Sequence, residues 1–196
     1  AAALLDHLHI EKAHVVGGSM GGMIAQIFAA RYQHRTKTLA VIFSSNNQAL
    51  LPPPGPKQLR AVTTRPKDTS REGVIANAVT VSRIIGSPGY PAPTEQVLAD
   101  ATEGYDRSYY PAGVARHFSA IMGSGSLVAY DKLITAPTVV IHGRADKLMR
   151  PSGGRAVAKS IRRARFVLFD GMGHDLPEPL WDDIVGELKT TFAEVP

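Results

Sequence analysis

The sequence predicts an α/β fold: parallel strands with flanking helices, interrupted by an all-helical insertion. Three observations predict it. Short apolar runs at Ala13–Val16, Thr38–Ser44, Pro137–His142 and Arg165–Phe169 read as strands buried on both faces, as a parallel sheet requires. Helical periodicity follows the first and third of these runs and closes the chain, which fits β-α-β units with right-handed crossovers. Between Asn46 and Ser126 the strand pattern stops and only helical stretches occur. The expected organisation is therefore a core built from residues 1–45 and 127–196, with a helical block at 46–126 set into it.

The 196 residues suit one domain with a sizeable core, and 44% hydrophobic with 20% charged residues is ordinary for a globular chain. The absence of cysteine excludes disulfides, thiolate nucleophiles and zinc–thiolate sites. The net charge is +5, but the basic residues are scattered, and the densest cluster (Lys159, Arg162, Arg163, Arg165) has no interleaved aromatics. That argues against a nucleic-acid partner. No apolar run has the length of a membrane span. Ala1–Leu8 reads as the tail of an apolar helix, without an initiating Met, a signal-peptide pattern or a preceding cap. The chain is thus expected to begin inside a larger unit, and a cytoplasmic location is the default expectation.

In chain order, the strand Ala13–Val16 leads into Gly17-Gly18-Ser19-Met20-Gly21, which fits G-x-S-x-G between a strand and a helix. A serine pushed out at a sharp turn strains its backbone, and small neighbours on either side relieve the crowding. The helix that follows aims free N–H groups and its positive end at the serine. Glycine-rich turns also cradle phosphate, but no Lys follows these glycines and G-x-G-x-x-G does not fit. Gly22 lets strand and helix approach closely. The helix is expected over Met20–His34, with Met23, Ile24, Ile27, Phe28 and Tyr32 at core spacing.

Pro52-Pro53-Pro54-Gly55-Pro56 marks the boundary of the helical block. Helices are expected at Lys57–Val62, Ser70–Ile85, Thr94–Ser108 and Pro111–Met122, with Ser70 and Thr94 as N-caps and Pro111 at a first helical position. After the returning strand, Pro151–Arg162 reads as a helix and Gly171–His174 as a turn. A final amphipathic helix starts near Pro177 or Pro179 and carries Trp181, Ile184, Val185, Leu188 and Phe192 on one face.

A nucleophilic serine needs a base, and the base needs an acid to hold its tautomer. Asp146 follows the Pro137–His142 strand and His174 follows the Arg165–Phe169 strand, at the strand ends where sites of such sheets collect. The order Ser19, Asp146, His174 matches the Ser…Asp…His order of G-x-S-x-G enzymes. Asp131 is the rival acid. Asp170 and Asp175 are read as shaping the histidine turn, His142 as a packed core residue and His34 as a helix-end cation. His7, His9, His14 and His117 have no evident polar partner.

Gly17-Gly18-Ser19-Met20-Gly21-Gly22, Ile141-His142-Gly143-Arg144-Ala145-Asp146 and Gly171-Met172-Gly173-His174-Asp175-Leu176-Pro177 together closely resemble the α/β-hydrolase family. The chain is similar to its serine esterase and lipase branch, which includes aclacinomycin methylesterase-like enzymes. The resemblance implies the C-terminal half of an α/β-hydrolase sheet, with the helical block as its cap. It also implies a Ser19–His174–Asp146 triad, with the Met20 N–H as one oxyanion donor. Family members place further strands and the second oxyanion donor before the elbow, and those have no counterpart after Ala1. A missing N-terminal segment or another chain is expected to cover the sheet edge so exposed.

Family members with an Asp nucleophile, the haloalkane dehalogenases and epoxide hydrolases, are argued against by Ser19. The expected activity is cleavage of a small-molecule carboxylic ester through an acyl-enzyme, with no cofactor or metal, in a truncated form whose 196 residues alone are expected to be nearly inactive. The alternative is a non-catalytic hydrolase-like ligand-binding module. Tyr90, Tyr109, Tyr110, Phe118 and Met122 are candidates either to line an apolar pocket or to pack the cap helices together.

Overall fold

The computed structural model describes residues 1–195. Four strands, β1 (Ala13–Gly18), β2 (Thr36–Ile42), β3 (Thr138–Gly143) and β4 (Arg165–Phe169), form one parallel sheet in chain order. The helices are α1 (Ala2–His7), α2 (Met20–Arg31), α3 (Pro56–Thr63), α4 (Arg71–Ile85), α5 (Thr94–Arg107), α6 (Pro111–Gly123), α7 (Val128–Asp131), α8 (Pro151–Ser160) and α9 (Trp181–Phe192). No helix among the described residues is long and apolar enough to cross a membrane.

The two central strands explain their own sequence. Leu39 and Val41 of β2 and Val140 of β3 pack in one layer with Ala25, Ala29 and Ala30 of α2 and Val157 of α8. Ala40, Ile42, Val139 and Ile141 enter the opposite layer with Met172 and with Ile184 of α9. Successive residues of a strand point to opposite faces, so a strand covered on both sides must be apolar throughout. β1 is different: it pairs only with β2 among the described residues, and Val16 on it is 47% exposed. α1 has no buried residue, and Arg35 holds it and the segment after it down through Asp6 (2.6 Å) and the carbonyls of Ile10 and Glu11.

Several element ends differ from the sequence expectation. α2 stops at Arg31, and a single 3-10 turn, Gln33–Arg35, replaces its expected last turn. Its buried side mixes Met23, Gln26 and Phe28 with Ala25, Ala29 and Ala30, while Ile24 is turned outward and Tyr32, just past the helix end, is exposed. Ser70 caps α4 by accepting from the Gly73 N–H, and Pro111 opens α6, both as expected. Thr94 does not cap α5; Pro93 holds that position, and the Thr94 hydroxyl accepts from Arg83. α8 ends at Ser160, two residues early. α9 begins at Trp181 after a 3-10 turn at Glu178–Leu180; Trp181 and Val185 are exposed, and Ile184 is buried. His14 does have a polar partner, Thr38 Oγ1 at 2.9 Å, with its ring against Phe192.

The single turn α7 was not expected, and it carries Asp131 into the interior between α2 and α8. Asn46 donates to its Oδ2 at 2.9 Å, while Oδ1 is buried without a partner. Burial raises the carboxyl from 3.8 to about 6, with the Asn46 hydrogen bond opposing it in part. A raised folded value means the folded state holds the proton more tightly than the unfolded chain. The stability it contributes is therefore complete below pH 3.8 and is lost as the pH rises to about 6. Asp131→Asn should flatten that segment of the stability curve, removing a decline of about 3 kcal/mol in urea titrations run across this pH range.

Candidate active site

The turn from β1 into α2 puts Ser19 at φ 53°, ψ −124°, a region a serine seldom occupies. Hydrogen bonds hold its backbone there: Ser19 N–H donates to the Ile42 carbonyl (2.9 Å), and the Ser19 carbonyl accepts from Ser44 Oγ (2.6 Å), Gly22 N–H (2.9 Å) and Met23 N–H (3.4 Å). A Cβ on Gly17 would stand 2.2 Å from the Gly21 carbonyl oxygen, and one on Gly22 would stand 2.6 Å from Ser44 Cβ. Gly21 itself has open space around its Cα, so the demand for glycine is one-sided: Gly17 must be small because the Gly21 backbone leans on it. Met20 is the first residue of α2, so its N–H has no acceptor within the helix.

His174 lies between the other two side chains singled out by their strand-end positions. Its Nε2 is 2.9 Å from Ser19 Oγ and its Nδ1 is 2.7 Å from Asp146 Oδ2. Beside a carboxylate Nδ1 carries the proton, which leaves the Nε2 lone pair facing the serine hydroxyl. The Phe43 ring covers one side of the imidazole at 4.7 Å between centroids, and Phe43 itself is held at φ 35° just past β2. Asp131, the rival acid, is bonded to Asn46 and does not meet the histidine.

Asp146 is 2% exposed, and its oxygens are met by N–H donors. Oδ1 accepts from the backbone of Leu148 (2.9 Å) and Met149 (2.8 Å), and Oδ2 accepts from His174. His142 Nε2 lies 3.5 Å from Oδ2 and 2.6 Å from the Met149 carbonyl. A ring nitrogen that close to a carbonyl must be the protonated one. His142 Nε2 therefore donates to that carbonyl, and its buried Nδ1 has no partner among the described residues. It is buried as expected, but it braces the acid rather than filling space. Burial pushes the Asp146 carboxyl up; the hydrogen bonds from His142 and His174 outweigh it and bring the net value below 3.8. The stability from this carboxylate is complete above 3.8 and is lost only as the pH falls through its lower folded value.

The residues that sequence reasoning missed are the supports: Phe43, Ser44, Ser87 and the bracing role of His142. Their partners lie elsewhere in the chain, and only the glycine-serine and strand-end patterns have a local signature. Asp170 and Asp175 do not simply shape the histidine turn. Asp170 pairs with Arg144, and Asp175 accepts from Ser87 in the helical block. A cavity of about 890 Å³ opens beside His174, lined by Val74, Val81, Val114 and Phe118 among others, with Tyr109 at its margin. Tyr90 packs on the core, and Tyr110 and Met122 are exposed. Among the described residues no group of three His, Asp or Glu side chains could hold a metal ion.

A parallel sheet with a glycine-lined serine turn and a histidine between that serine and a buried aspartate defines a class, and the comparisons agree with it. The model of the alpha/beta hydrolase fold family matches residues 1–178, and the chain belongs to that family. It is similar to rhodomycin D methylesterase DnrP of Streptomyces peucetius, at 29% identity over 92% of this chain and 68% of that protein. A shorter stretch is 58% identical to homoserine O-acetyltransferase of Thermus thermophilus, covering 21% of this chain and 11% of the enzyme. Among solved structures, the meta-cleavage product hydrolase of Pseudomonas fluorescens IP01 superposes with a TM-score of 0.74 at 23% identity, covering 98% of this chain and 69% of that one. The chain therefore spans about two thirds of the length of the methylesterase and a ninth of the acetyltransferase.

The approach of α2 to β1 sets an expectation for the turn. Gly17→Ala should lower stability by about 1–3 kcal/mol through overpacking against the Gly21 carbonyl. Gly21→Ala, with open space, should cost no more than a few tenths of that, and urea midpoints of the two variants measure the difference.

Proposed function

We propose that the chain carries the machinery of a serine hydrolase acting on carboxylic esters. The observation that carries this reading is the unbroken hydrogen-bonded line from the buried Asp146 carboxylate through His174 to a backbone-strained Ser19. In this reading Ser19 Oγ attacks the acyl carbon while His174 Nε2 takes its proton. Asp146 stabilises the resulting imidazolium, and the Met20 N–H donates to the carbonyl oxygen as it becomes an oxyanion. His174 then returns the proton to the leaving alcohol. Water, deprotonated by the same imidazole, releases the acid from Ser19. The second oxyanion donor lies outside the groups assigned here.

The helical block acts as the cap, and the apolar walls of the cavity beside His174 suit a bulky apolar acyl or alcohol group. The methylesterase relative, matched along 92% of this chain, supports ester cleavage. A second reading has its own observation: the hydrolase of Cupriavidus pinatubonensis named for 2-hydroxy-6-oxononadienedioate is 27% identical over 87% of this chain. In that reading the same three side chains serve C–C bond cleavage.

A fluorophosphonate probe tests the nucleophile directly. Ser19 should be labelled, and Ser19→Ala should abolish labelling; an unlabelled Ser19 in the folded protein returns the chain to the class of ligand-binding modules. Ser19→Ala and His174→Ala should each reduce ester hydrolysis by several orders of magnitude. Phe118→Ala should raise KM for a bulky apolar ester while leaving kcat/KM for an activated acetate ester within about twofold, as loss of uniform binding does.

A further inference from the structure

The loop that carries His174 is bonded to the helical block along most of its length. His174 N–H donates to the Ile85 carbonyl at the end of α4 (2.8 Å), and Gly173 N–H donates to Ser87 Oγ (2.8 Å). Ser87 Oγ in turn donates to Asp175 Oδ1, and Ser87 N–H donates to Oδ2 at 3.2 Å. Gly89 N–H reaches the Gly171 carbonyl at 3.0 Å. The backbones lie close enough that a Cβ on Gly173 would stand 2.2 Å from the Gly86 carbonyl oxygen. Ser87 is 4% exposed, so its hydroxyl, accepting from one side of His174 and donating to the other, is a buried and fully used group.

Residues 171–175 follow β4, the last strand of the sheet, and contain no regular element of their own. Their shape is therefore set by what they bond to, and most of those bonds go to residues 85–89. We propose that Ser87 and Asp175 are positioning residues that clamp the histidine loop to the end of α4, so that His174 meets Ser19 only while the helical block is seated on the sheet. The proposal rests on Ser19 and His174 acting as read above, but the clamp itself is a structural coupling with its own readout. Its consequence is regulatory. Displacing the block withdraws the base from the serine, so an unseated cap is also an unreactive one.

The test uses Ser87→Ala, Asp175→Ala, their double variant and Asp175→Asn, which retains one acceptor oxygen. Amide hydrogen exchange at Gly173 and His174 is read beside the rate of fluorophosphonate labelling at Ser19, with thermal midpoints to show that each variant is folded. Loss of the clamp should speed exchange at both amides and slow labelling about tenfold, as the loss of one buried hydrogen bond does. The double variant should cost more than the worse single one but less than the sum of the two, because both singles remove the Ser87 Oγ–Asp175 Oδ1 bond while each spares one of the others. Asp175→Asn should fall between wild type and Asp175→Ala. Wild-type exchange and labelling in a folded Ser87→Ala protein would overturn the clamp, as would strictly additive effects. A wild-type protein that does not label defeats the hydrolase reading alone, since exchange at Gly173 and His174 still decides the coupling.

Discussion

The site depends on one buried carboxylate remaining charged. Taking Asp146 out of water favours its neutral form, and a neutral Asp146 would neither fix the His174 tautomer nor stabilise an imidazolium. The fold answers with donors from three directions: the backbone after β3 at Leu148 and Met149, the ring of His174, and the flank of His142. His142 Nε2 stands between the Met149 carbonyl and Oδ2, so the same N–H that bonds the carbonyl also faces the carboxylate. The short turn between Gly143 and Arg150 therefore carries two duties, closing the end of β3 and solvating a charge.

The parallel sheet brings the components together directly. The turn after β1 ends in Ser19, the loop after β3 presents Asp146, and the loop after β4 presents His174, all at the C-terminal ends of their strands. β2 contributes through the segment after it, where Phe43 leans on the imidazole and Ser44 pins the Ser19 carbonyl. Each strand thus delivers one component to a common rim, and the apolar layers on both faces fix the spacing between them.

That delivery is why so much was legible in the sequence. Ser19 announces itself by flanking glycines, and Asp146 and His174 by following apolar runs, so a reader of local pattern finds all three. Gly17 was legible as a required glycine, but the reason for Gly21 was misassigned, because which backbone crowds which is not written locally. The supports were illegible for a related reason. Ser87 and Asp175 are hydrogen-bonded partners that stand 88 residues apart, and neither has a local signature. Asp131 was considered only as a rival acid, because one unforeseen turn of helix decides whether its side chain faces the site or the core. Helix ends were missed where the cap is a residue with no capping side chain, as at Pro93.

The whole helical block lies between β2 and β3, which are nevertheless adjacent and paired along Leu39–Ile42. That pairing closes the longest loop in the sheet, so it is the step at which folding should be slowest and the unpaired β2 edge most open to wrong partners. The entropy of closing such a loop grows only with the logarithm of its length, about 0.6 kcal/mol for each doubling. A sheet of this order can consequently host inserts of very different sizes at this one junction, and natural variation in length should concentrate there while the strands on either side stay fixed.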